Sequence, residues 1–332
     1  MGIPFLNNIL REQCDQYIWQ IGLAELAGKK IAVDISIYLY KYETTNTLIE
    51  NMYLMLSIFR QYNIIPIFVF DGKPPPEKKA LLQKRRESKE AAKNEYTKLK
   101  DEIQTTDKRE HLEQLKKQFV YMTHDKIDKV KDLIRAYGAT YYDAPGEADE
   151  LCALLVIKKK VWACLSEDMD LFVYGCSRVL RYLSLSNQSV ILYYTKGILE
   201  QLNMTQKEFR EICVLSGTDY NINENNHLKT NNDMVTLPNI IKLFRKYQLN
   251  LNDSNNVTFY DWIKSTTNSE LDLDLDLLKK INSMFEIEIS DLNNDLKNDT
   301  KNDLKNIKIY NGPIQKSALR EILKEDGFLF ID

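Results

Sequence analysis

The sequence lacks the features of secreted, membrane-bound and zinc-binding proteins. Among 332 residues there are five cysteines, an odd number, and no two have the CxxC spacing. This argues against a disulfide framework and a zinc site, and it favours reduced, partly buried thiols in a cytosolic or nuclear compartment. No apolar run approaches the roughly 20 residues of a membrane span, and the first residues do not resemble a signal peptide. We therefore expect no membrane partner.

The composition is that of a globular protein. Hydrophobic residues make up 44% of the chain, and the length is sufficient for a sizeable core. The net charge of -3 conceals a strong local asymmetry, so the average says little about partners.

Acidic residues lie beside apolar ones in the stretch from Ala144 to Asp170. Pro145 predicts the first turn of a helix that carries Glu147 and Asp149 at its start. Residues 161–165 then predict a short buried strand.

Two more acids, Asp168 and Asp170, follow this strand directly. In extended backbone they project to the same side, because side chains repeat with a period of two. A short crossover would bring Glu147 and Asp149 close to them. Like charges so placed resist ionisation unless a cation separates them. These residues therefore predict a divalent metal site with oxygen ligands.

The first part of the chain alternates strands and helices. A buried run at 31–33 ends in Asp34, a long apolar segment to about Gln61 predicts a helix, and a second strand at 64–70 ends in Asp71. Open parallel α/β sheets place their active sites at the carboxyl ends of such strands.

The region 78–131 is strongly basic, with sixteen Lys and Arg against ten Asp and Glu. A solvated helical hairpin is one interpretation. However, Lys78 and Arg85 are seven residues apart and share a predicted helix face, and Lys84 and Arg86 flank Arg85. A cationic element that follows an acidic strand end suits a phosphodiester substrate.

Five segments of the chain together resemble the flap endonuclease family, the structure-specific 5′ nucleases. They are VDISIYLY (33–40), FVFDGKPPPEKKALLQKRR (68–86), APGEADELCALLV (144–156), SEDMDLFVYG (166–175) and LSGTDY (215–220). The resemblance implies an α/β fold with a mostly parallel, twisted central sheet flanked by helices. It also implies a PIN-like nuclease core, a helical arch and a C-terminal region resembling helix-hairpin-helix.

The resemblance divides the chain into predicted parts. They are a nuclease core at 1–250, with an arch insertion at about 74–130 and a degenerate helix-hairpin-helix at about 205–247, a low-complexity linker or surface segment at 251–306, and a C-terminal helix and tail at 307–332.

Seven carboxylates match the family's two metal-binding groups. The first group is Asp34, Asp71, Glu147 and Asp149, and the second is Asp168, Asp170 and Asp219. The implied cofactor is a pair of Mg²⁺ ions, for which Mn²⁺ can substitute, because the ligands are hard oxygens without His or Cys.

Further residues match positions that contact the substrate in this family. Lys78 and Arg85 match the cations that stabilise the scissile phosphate, and Gly2 matches an N-terminal glycine close to DNA. Tyr40 matches an aromatic residue on which a nucleobase stacks, although a core tyrosine is an equally good interpretation. Lys84 and Arg86 are predicted DNA contacts.

The sequence departs from the family at two places. Asp149 stands where the family has Glu, so its side chain is one methylene shorter. The neighbouring Glu150 is predicted to be a solvated acid and not a ligand. After Tyr220 the chain is longer and rich in Asn, and Val235 and Leu237 replace the glycines of the family hairpin. Side chains are therefore predicted to hold the duplex. They are Lys229, Lys242, Arg245 and Lys246.

The expected function is Mg²⁺-dependent cleavage of phosphodiester bonds at 5′ flaps in DNA replication or repair. Two metal ions, about 4 Å apart, would bridge the scissile phosphate and activate a water. The alternatives are a related nuclease for gap, bubble, 5′-exonuclease or RNA substrates, and a non-cleaving DNA-structure binder. The expected partners are DNA with a 5′ flap or junction and the replication machinery. The chain end has no convincing sliding-clamp motif, and we expect a monomer.

The altered hairpin leads to a test of salt identity. Glycine lets backbone groups approach a phosphate, directly or through a monovalent cation, whereas β-branched Val is poorly suited to positive φ. Flap binding should therefore depend strongly on ionic strength and little on whether KCl or LiCl is used at equal concentration. A specific loss of affinity in LiCl would contradict the predicted side-chain binding and our alignment of 221–238.

Overall fold

The computed structural model describes residues 2–100, 106–221, 236–250, 257–266, 274–287 and 307–330. The chain forms two compact units. We call them the 22–148 unit, which comprises residues 22–148, 184–188 and 302–332, and the 149–301 unit, which comprises residues 1–21, 149–183 and 189–301.

The elements are numbered in chain order. The strands are β1 (Ile18–Gly22), β2 (Lys30–Asp34), β3 (Ile65–Phe70), β4 (Thr140–Asp143), β5 (Ala163–Leu165), β6 (Arg178–Ser184) and β7 (Ser189–Tyr194). The helices are α1 (Leu6–Gln13), α2 (Ser36–Thr44), α3 (Leu48–Gln61), α4 (Lys79–Leu99), α5 (Thr106–Gln118), α6 (His124–Ala136), α7 (Ala148–Ile157), α8 (Asp170–Tyr174), α9 (Thr195–Leu202), α10 (Gln206–Ser216), α11 (Leu237–Asn250), α12 (Phe259–Thr266), α13 (Leu275–Met284) and α14 (Lys316–Glu325).

In the 22–148 unit the strands β2, β3 and β4 lie side by side and pair in parallel. Ala32 pairs with Ile67, and Asp34 pairs with Val69. The almost continuous apolar sequence of β3 is typical of a parallel strand that is covered on both faces. Asp34 and Asp71 therefore lie at the carboxyl ends of neighbouring strands, as the sequence predicts.

The long helix predicted after Asp34 is two helices, α2 and α3. The break lies at Thr45–Thr47, where the Thr45 and Thr47 hydroxyls donate to the Tyr42 carbonyl at 3.0 and 3.4 Å and Asn46 has a φ of 54°. Threonine side chains that bond to the backbone compete with helix formation. The sequence prediction of one continuous helix is thus wrong here.

The basic region forms the two charged helices α4 and α5, which pack on each other. Ala92, Leu112 and Leu115 are buried, and the Tyr96 and Phe119 rings lie 5.3 Å apart. These few apolar residues hold together a pair of helices whose remaining surface is largely charged.

The C-terminal residues 307–330 pack against α6 and the start of β4. The Gly312 N–H donates to the Gly138 carbonyl at 2.7 Å, and Arg60 donates to the carbonyls of Tyr137 and Gly312. A Cβ on Gly138, whose φ is +77°, would lie 2.5 Å from the Gly312 oxygen. Position 138 therefore requires glycine for both conformation and space.

In the 149–301 unit the strands follow the order β1-β7-β6-β5. The pair β5 and β6 is parallel, with Cys164 opposite Val179 and Leu165 opposite Leu180. These residues are fully buried, as expected of strands inside an α/β layer.

Parts of the segment predicted as a low-complexity linker form the packed helices α12 and α13. Phe259 and Phe244 meet edge to face at 5.1 Å, and Phe285 lies 4.9 Å from Tyr174. Large aromatic rings supply the buried surface that the Asn- and Asp-rich sequence around them lacks. The predicted domain boundaries themselves remain predictions.

All five cysteines are free and buried. Among the described residues, no helix combines the length and apolar character needed to cross a membrane.

Candidate active site

In the 22–148 unit, hydrogen bonds link two of the predicted metal ligands. The Ser36 N–H donates to Asp34 Oδ1 at 3.3 Å, and the Ser36 hydroxyl donates to Asp71 Oδ2 at 2.5 Å. Asp71 Oδ1 accepts from the Ala148 N–H at 2.9 Å, at the start of α7. Both carboxylates are therefore oriented by donors that also offset part of their charge.

The loop 144–147 lies directly against the end of β3. The Gly72 N–H donates to the Gly146 carbonyl at 2.8 Å, and the Lys73 N–H donates to the Pro145 carbonyl at 3.4 Å. Pro145 thus lies in this loop, three residues before α7, rather than in the first helical turn as predicted. The loop brings Glu147 and Asp71 into one part of the unit.

The predicted catalytic cation Lys78 forms an ion pair with Glu147. Both side chains are only 12% exposed, so water screens the pair less than at the surface. Lys78 is the N-cap residue of α4, and Arg85 is half-buried further along that helix. The structure therefore places the predicted cation beside a predicted metal ligand.

Tyr40 lies on α2 and is 43% exposed, which excludes the core interpretation. Partial burial raises the pKa of its hydroxyl, and the negative charge of Asp71 adds to this rise. The Tyr40 ring is therefore exposed to solvent, close enough to Asp71 for the two groups to interact electrostatically.

Lys89, which is not among the predicted site residues, is half-buried and lies four residues after Arg85. Its ammonium lies 4.8 Å from the Tyr40 ring and 5.6 Å from the Tyr121 ring, and it donates to the Val120 carbonyl at 3.2 Å. Burial lowers its pKa, and the neighbouring Arg85 charge lowers it further. Cation–π contacts of this kind link α4 to α2 and to the connection before α6. The four-residue spacing from Arg85 was the available signal.

Three of the predicted ligands in the 149–301 unit are buried carboxylates: Asp149, Asp170 and Asp219. Asp170 is only 2% exposed. Glu150, by contrast, is exposed, in agreement with its prediction as a solvated acid. Buried carboxylates with like charge are costly unless donors or a cation compensate them.

Asp168 and Asp170 come together by a turn and not by strand periodicity. Residues 166–169 lie outside any strand, and α8 begins at Asp170. The Asp170 N–H donates to Asp168 Oδ1 at 3.1 Å, and the Asp168 N–H donates to the Ser166 hydroxyl at 3.1 Å. The predicted extended backbone is therefore wrong, although the two side chains are neighbours.

The N-terminal Gly2 fits beside these two acids. A Cβ on Gly2 would lie 2.6 Å from both Asp168 Oδ1 and Asp170 Oδ1. The two oxygens are thus directed at one small space, which a methyl group would fill.

The charges of Asp149 and Asp170 both influence the pKa of the Tyr174 hydroxyl. Burial raises the pKa of Tyr174 well above its usual value, and the charges of Asp149, Glu150 and Asp170 raise it further. Burial likewise raises the pKa of the Cys213 thiol, with Asp170 adding to the effect. These neighbours remain neutral, so they do not offset the carboxylate charge.

Asp219 lies in a tight turn after α10. Gly217 has a φ of +111°, and Asn221 accepts from the Thr218 N–H at 3.1 Å while donating to the Val214 carbonyl at 2.7 Å. This turn holds the buried Asp219 at the end of the helix.

The predicted ligands are oxygen donors, the type that divalent ions such as Mg²⁺ prefer. In the part of the chain that the structure describes, no three His, Cys, Asp or Glu side chains are arranged as a group that could hold a metal ion. Instead, N–H groups orient Asp34, Asp71 and Asp168 individually, and Lys78 pairs with Glu147. Carboxylates repel one another, so each is expected to have its own hydrogen-bond donor. Oxygen donors, together with the space beside Gly2, suit Mg²⁺ or Mn²⁺.

The predicted DNA contacts lie on exposed helix surfaces. Lys84 and Arg86 are exposed on α4. Lys242, Arg245 and Lys246 are exposed on α11, and Lys229 lies outside the described residues.

Two family models match the chain. The XPG N-terminal domain matches residues 1–92, and the XPG I-region matches residues 138–219. Flap endonuclease 1 of Lodderomyces elongisporus is 32% identical over 242 residues, which cover 66% of this chain and 61% of that protein. The chain belongs to the XPG/flap endonuclease family. This confirms the predicted family. Human flap endonuclease 1 is 30% identical over 239 residues, covering 66% of this chain and 62% of the human protein. The chain thus spans less than two thirds of the length of these relatives.

Solved structures show the same fold. The catalytic core of Rad2 in complex with DNA substrate has a TM-score of 0.65 and 21% identity, and covers 98% of this chain and 95% of that one. The Holliday junction-resolving enzyme GEN1, in complex with product DNA and Mg²⁺, has a TM-score of 0.57 and 18% identity, with coverages of 95% and 72%. These similarities confirm the predicted α/β fold.

The close contact of Gly72 leads to a prediction. A Cβ at this position would lie 1.8 Å from the Ala144 oxygen, so Gly72→Ala must move the loop 144–147 away from Asp71. We expect a loss of about 1–3 kcal/mol in the free energy of unfolding. Any cleavage activity should fall on the order of 100-fold.

Gly22→Ala is the matched control, because Gly22 has a φ of -74° and nothing lies within 4 Å of its Cβ position. Thermal melting and a cleavage assay measure both variants. Equal behaviour of the two would contradict the assigned contact.

Proposed function

We propose that this protein is a divalent-metal-dependent nuclease that hydrolyses phosphodiester bonds at single-strand to double-strand DNA junctions, with 5′ flaps as its main substrate. The observation that carries the proposal is the complete set of seven carboxylates at the family's motif positions. Among them, Asp34, Asp71 and Asp168 each accept a hydrogen bond from a backbone N–H. Family membership supports the activity, and the two family models include all seven positions.

The carboxylates would hold two ions, Mg²⁺ or Mn²⁺. The first group is Asp34, Asp71, Glu147 and Asp149, and the second is Asp168, Asp170 and Asp219. When bound, such ions supply Lewis-acid chemistry: they offset charge on the scissile phosphate and lower the pKa of water. Asp149 is shorter than Glu, so we propose that a water fills the remaining coordination position.

Lys78 and Arg85 would stabilise the negative charge that develops on the phosphate. Lys78 is suited to this role because its pair with Glu147 holds the ammonium beside the carboxylates. Arg85 is half-buried on the same helix, so its guanidinium loses less to solvent screening than an exposed one.

The remaining contacts would position the DNA. The exposed Tyr40 ring offers a stacking surface for a nucleobase. Gly2 would let the phosphate approach Asp168 and Asp170, because no side chain fills the space beside these carboxylates. Exposed cations would contact backbone phosphates: Lys84, Arg86, Lys229, Lys242, Arg245 and Lys246.

A nuclease for other DNA junctions is the second candidate. Its support is the fold shared with GEN1, a Holliday junction-resolving enzyme, and with Rad2. A non-cleaving binder is disfavoured, because a pure binder would gain affinity for phosphates by losing these carboxylates. We further propose a role in DNA replication or repair in the nucleus or cytoplasm.

Mapping the cleavage sites on labelled flap, gap, bubble, four-way-junction and blunt substrates with Mg²⁺ tests the proposal. We expect cleavage near the base of a 5′ flap and none in EDTA. Cleavage of junctions in preference to flaps would favour the second candidate. Binding without cleavage of any substrate would contradict both.

Charge repulsion predicts the behaviour of Asp168→Asn. The amide oxygen can still accept from the Asp170 N–H, but one negative charge is lost. Cleavage should be abolished, while the metal-free protein should melt at the same or a higher temperature. Glu150→Gln, which neutralises an exposed neighbouring acid, is the control. An Asp168→Asn variant that cleaves normally, or that unfolds much earlier than wild type, would refute the assignment.

A second prediction separates catalysis from binding for Lys78 and Arg85. Alanine at either position should lower the single-turnover rate on the order of 100-fold, with a much smaller loss of flap affinity. Lys79→Ala removes the same charge at the neighbouring exposed position and is the control. If affinity falls in step with rate, and the loss shrinks with added salt, the two residues are ordinary phosphate contacts.

A further inference from the structure

The strand β6 is irregular at Tyr182, near the loop that carries Asp168. Val179, Leu180 and Arg181 are buried in succession, as in a strand that is covered on both faces, whereas Tyr182 is exposed. Tyr182 has a φ of +56°, an uncommon conformation for a bulky residue. Strain of this kind persists only where the surrounding contacts stabilise it.

The contacts that stabilise this irregularity involve Glu167, the residue before Asp168. The β5–β6 pairing ends at Leu165 and Leu180, after which the Tyr182 N–H donates to Glu167 Oε1 at 2.5 Å. Arg181 donates from Nη2 to the Glu167 carbonyl at 2.9 Å, and its guanidinium is 3.5 Å from Glu167 Oε2. Both the backbone and the side chain of Glu167 are therefore fixed by β6.

Arg181 also binds the N-terminal helix α1. Its Nη1 donates to Asn7 Oδ1 at 2.6 Å, and the same oxygen accepts from the Tyr193 hydroxyl at 2.9 Å. Asn7 is five residues after Gly2, whose position touches Asp168 and Asp170. The guanidinium thus connects the two chain segments that meet beside these carboxylates.

Arg181 is only 5% exposed. A buried guanidinium is tolerated when hydrogen bonds and an ion pair compensate its charge. The two Nη atoms of Arg181 each donate to a different partner, as the planar fork of arginine allows, while Nε has no hydrogen-bond partner among the described residues. Loss of this side chain would leave Asn7 and Glu167 without their shared donor and would free the loop to move relative to the N-terminus.

We propose that Arg181 is a positioning residue for the metal-binding loop. It acts through Glu167 and Asn7, and holds Asp168 and Asp170 in register with Gly2. This inference rests on the proposed function, because it assumes that these carboxylates bind divalent ions.

The test measures Mn²⁺ binding by calorimetry without DNA, and flap cleavage as a function of Mn²⁺ concentration. Arg181→Met keeps much of the apolar volume but removes the fork, so the Mn²⁺ dissociation constant should rise about tenfold or more. Cleavage should fall at low Mn²⁺ and recover at high Mn²⁺, which a merely unfolded protein would not do. Arg181→Lys keeps the charge without the fork and should be intermediate.

Arg178→Met is the matched control, since Arg178 lies on the same strand and packs its guanidinium 5.0 Å from the Trp162 ring. It should bind Mn²⁺ as wild type does. Asn7→Ala provides a second test that deletes no buried charge: it should weaken Mn²⁺ binding while thermal melting shows a folded protein.

Wild-type Mn²⁺ affinity in Arg181→Met, or in Asn7→Ala if Arg181→Met does not fold, would overturn the proposal. A wild-type protein that neither binds Mn²⁺ nor cleaves DNA would instead refute the proposed function.

Discussion

Mutual repulsion among carboxylates is the constraint on which the proposed metal ligands in each unit depend. An ionised acid near others of its kind must be held in place by donors, or it turns towards solvent or becomes protonated. Here the donors are backbone N–H groups at the ends of strands and the starts of helices. The Ala148 N–H holds Asp71, and the Asp170 N–H holds Asp168. Parallel strands and helix starts supply such donors at the place where acids are needed.

Two cations at the start of α4 and within it are also held by specific contacts. Lys78 lies where a positive charge offsets Glu147, and Lys89 is held between the rings of Tyr40 and Tyr121. The charged helices therefore do more than present a basic surface to solvent, because part of their charge is fixed by contacts within the 22–148 unit. In the proposed function, cations that are already held in place would bind a phosphodiester without the cost of reorganising their side chains.

Much of this organisation could be predicted from sequence, because it depends on local patterns. Apolar runs ending in Asp34 and Asp71 predicted two parallel strands with acids at their carboxyl ends, and the structure agrees. Periodicity failed for Asp168 and Asp170, since a side-chain hydrogen bond starts a helix where an extended backbone was expected. The role of Arg181 was not predictable either. It depends on a left-handed residue inside a strand and on contacts with a segment 174 positions away.

The central claim is that the seven carboxylates hold two divalent ions. Anomalous diffraction from crystals grown with Mn²⁺ and a non-hydrolysable 5′-flap DNA tests it most directly. We predict two Mn²⁺ peaks about 4 Å apart beside the scissile phosphate, with oxygen ligands drawn from these carboxylates. Peaks elsewhere on the protein, or no peak at these carboxylates, would contradict the claim.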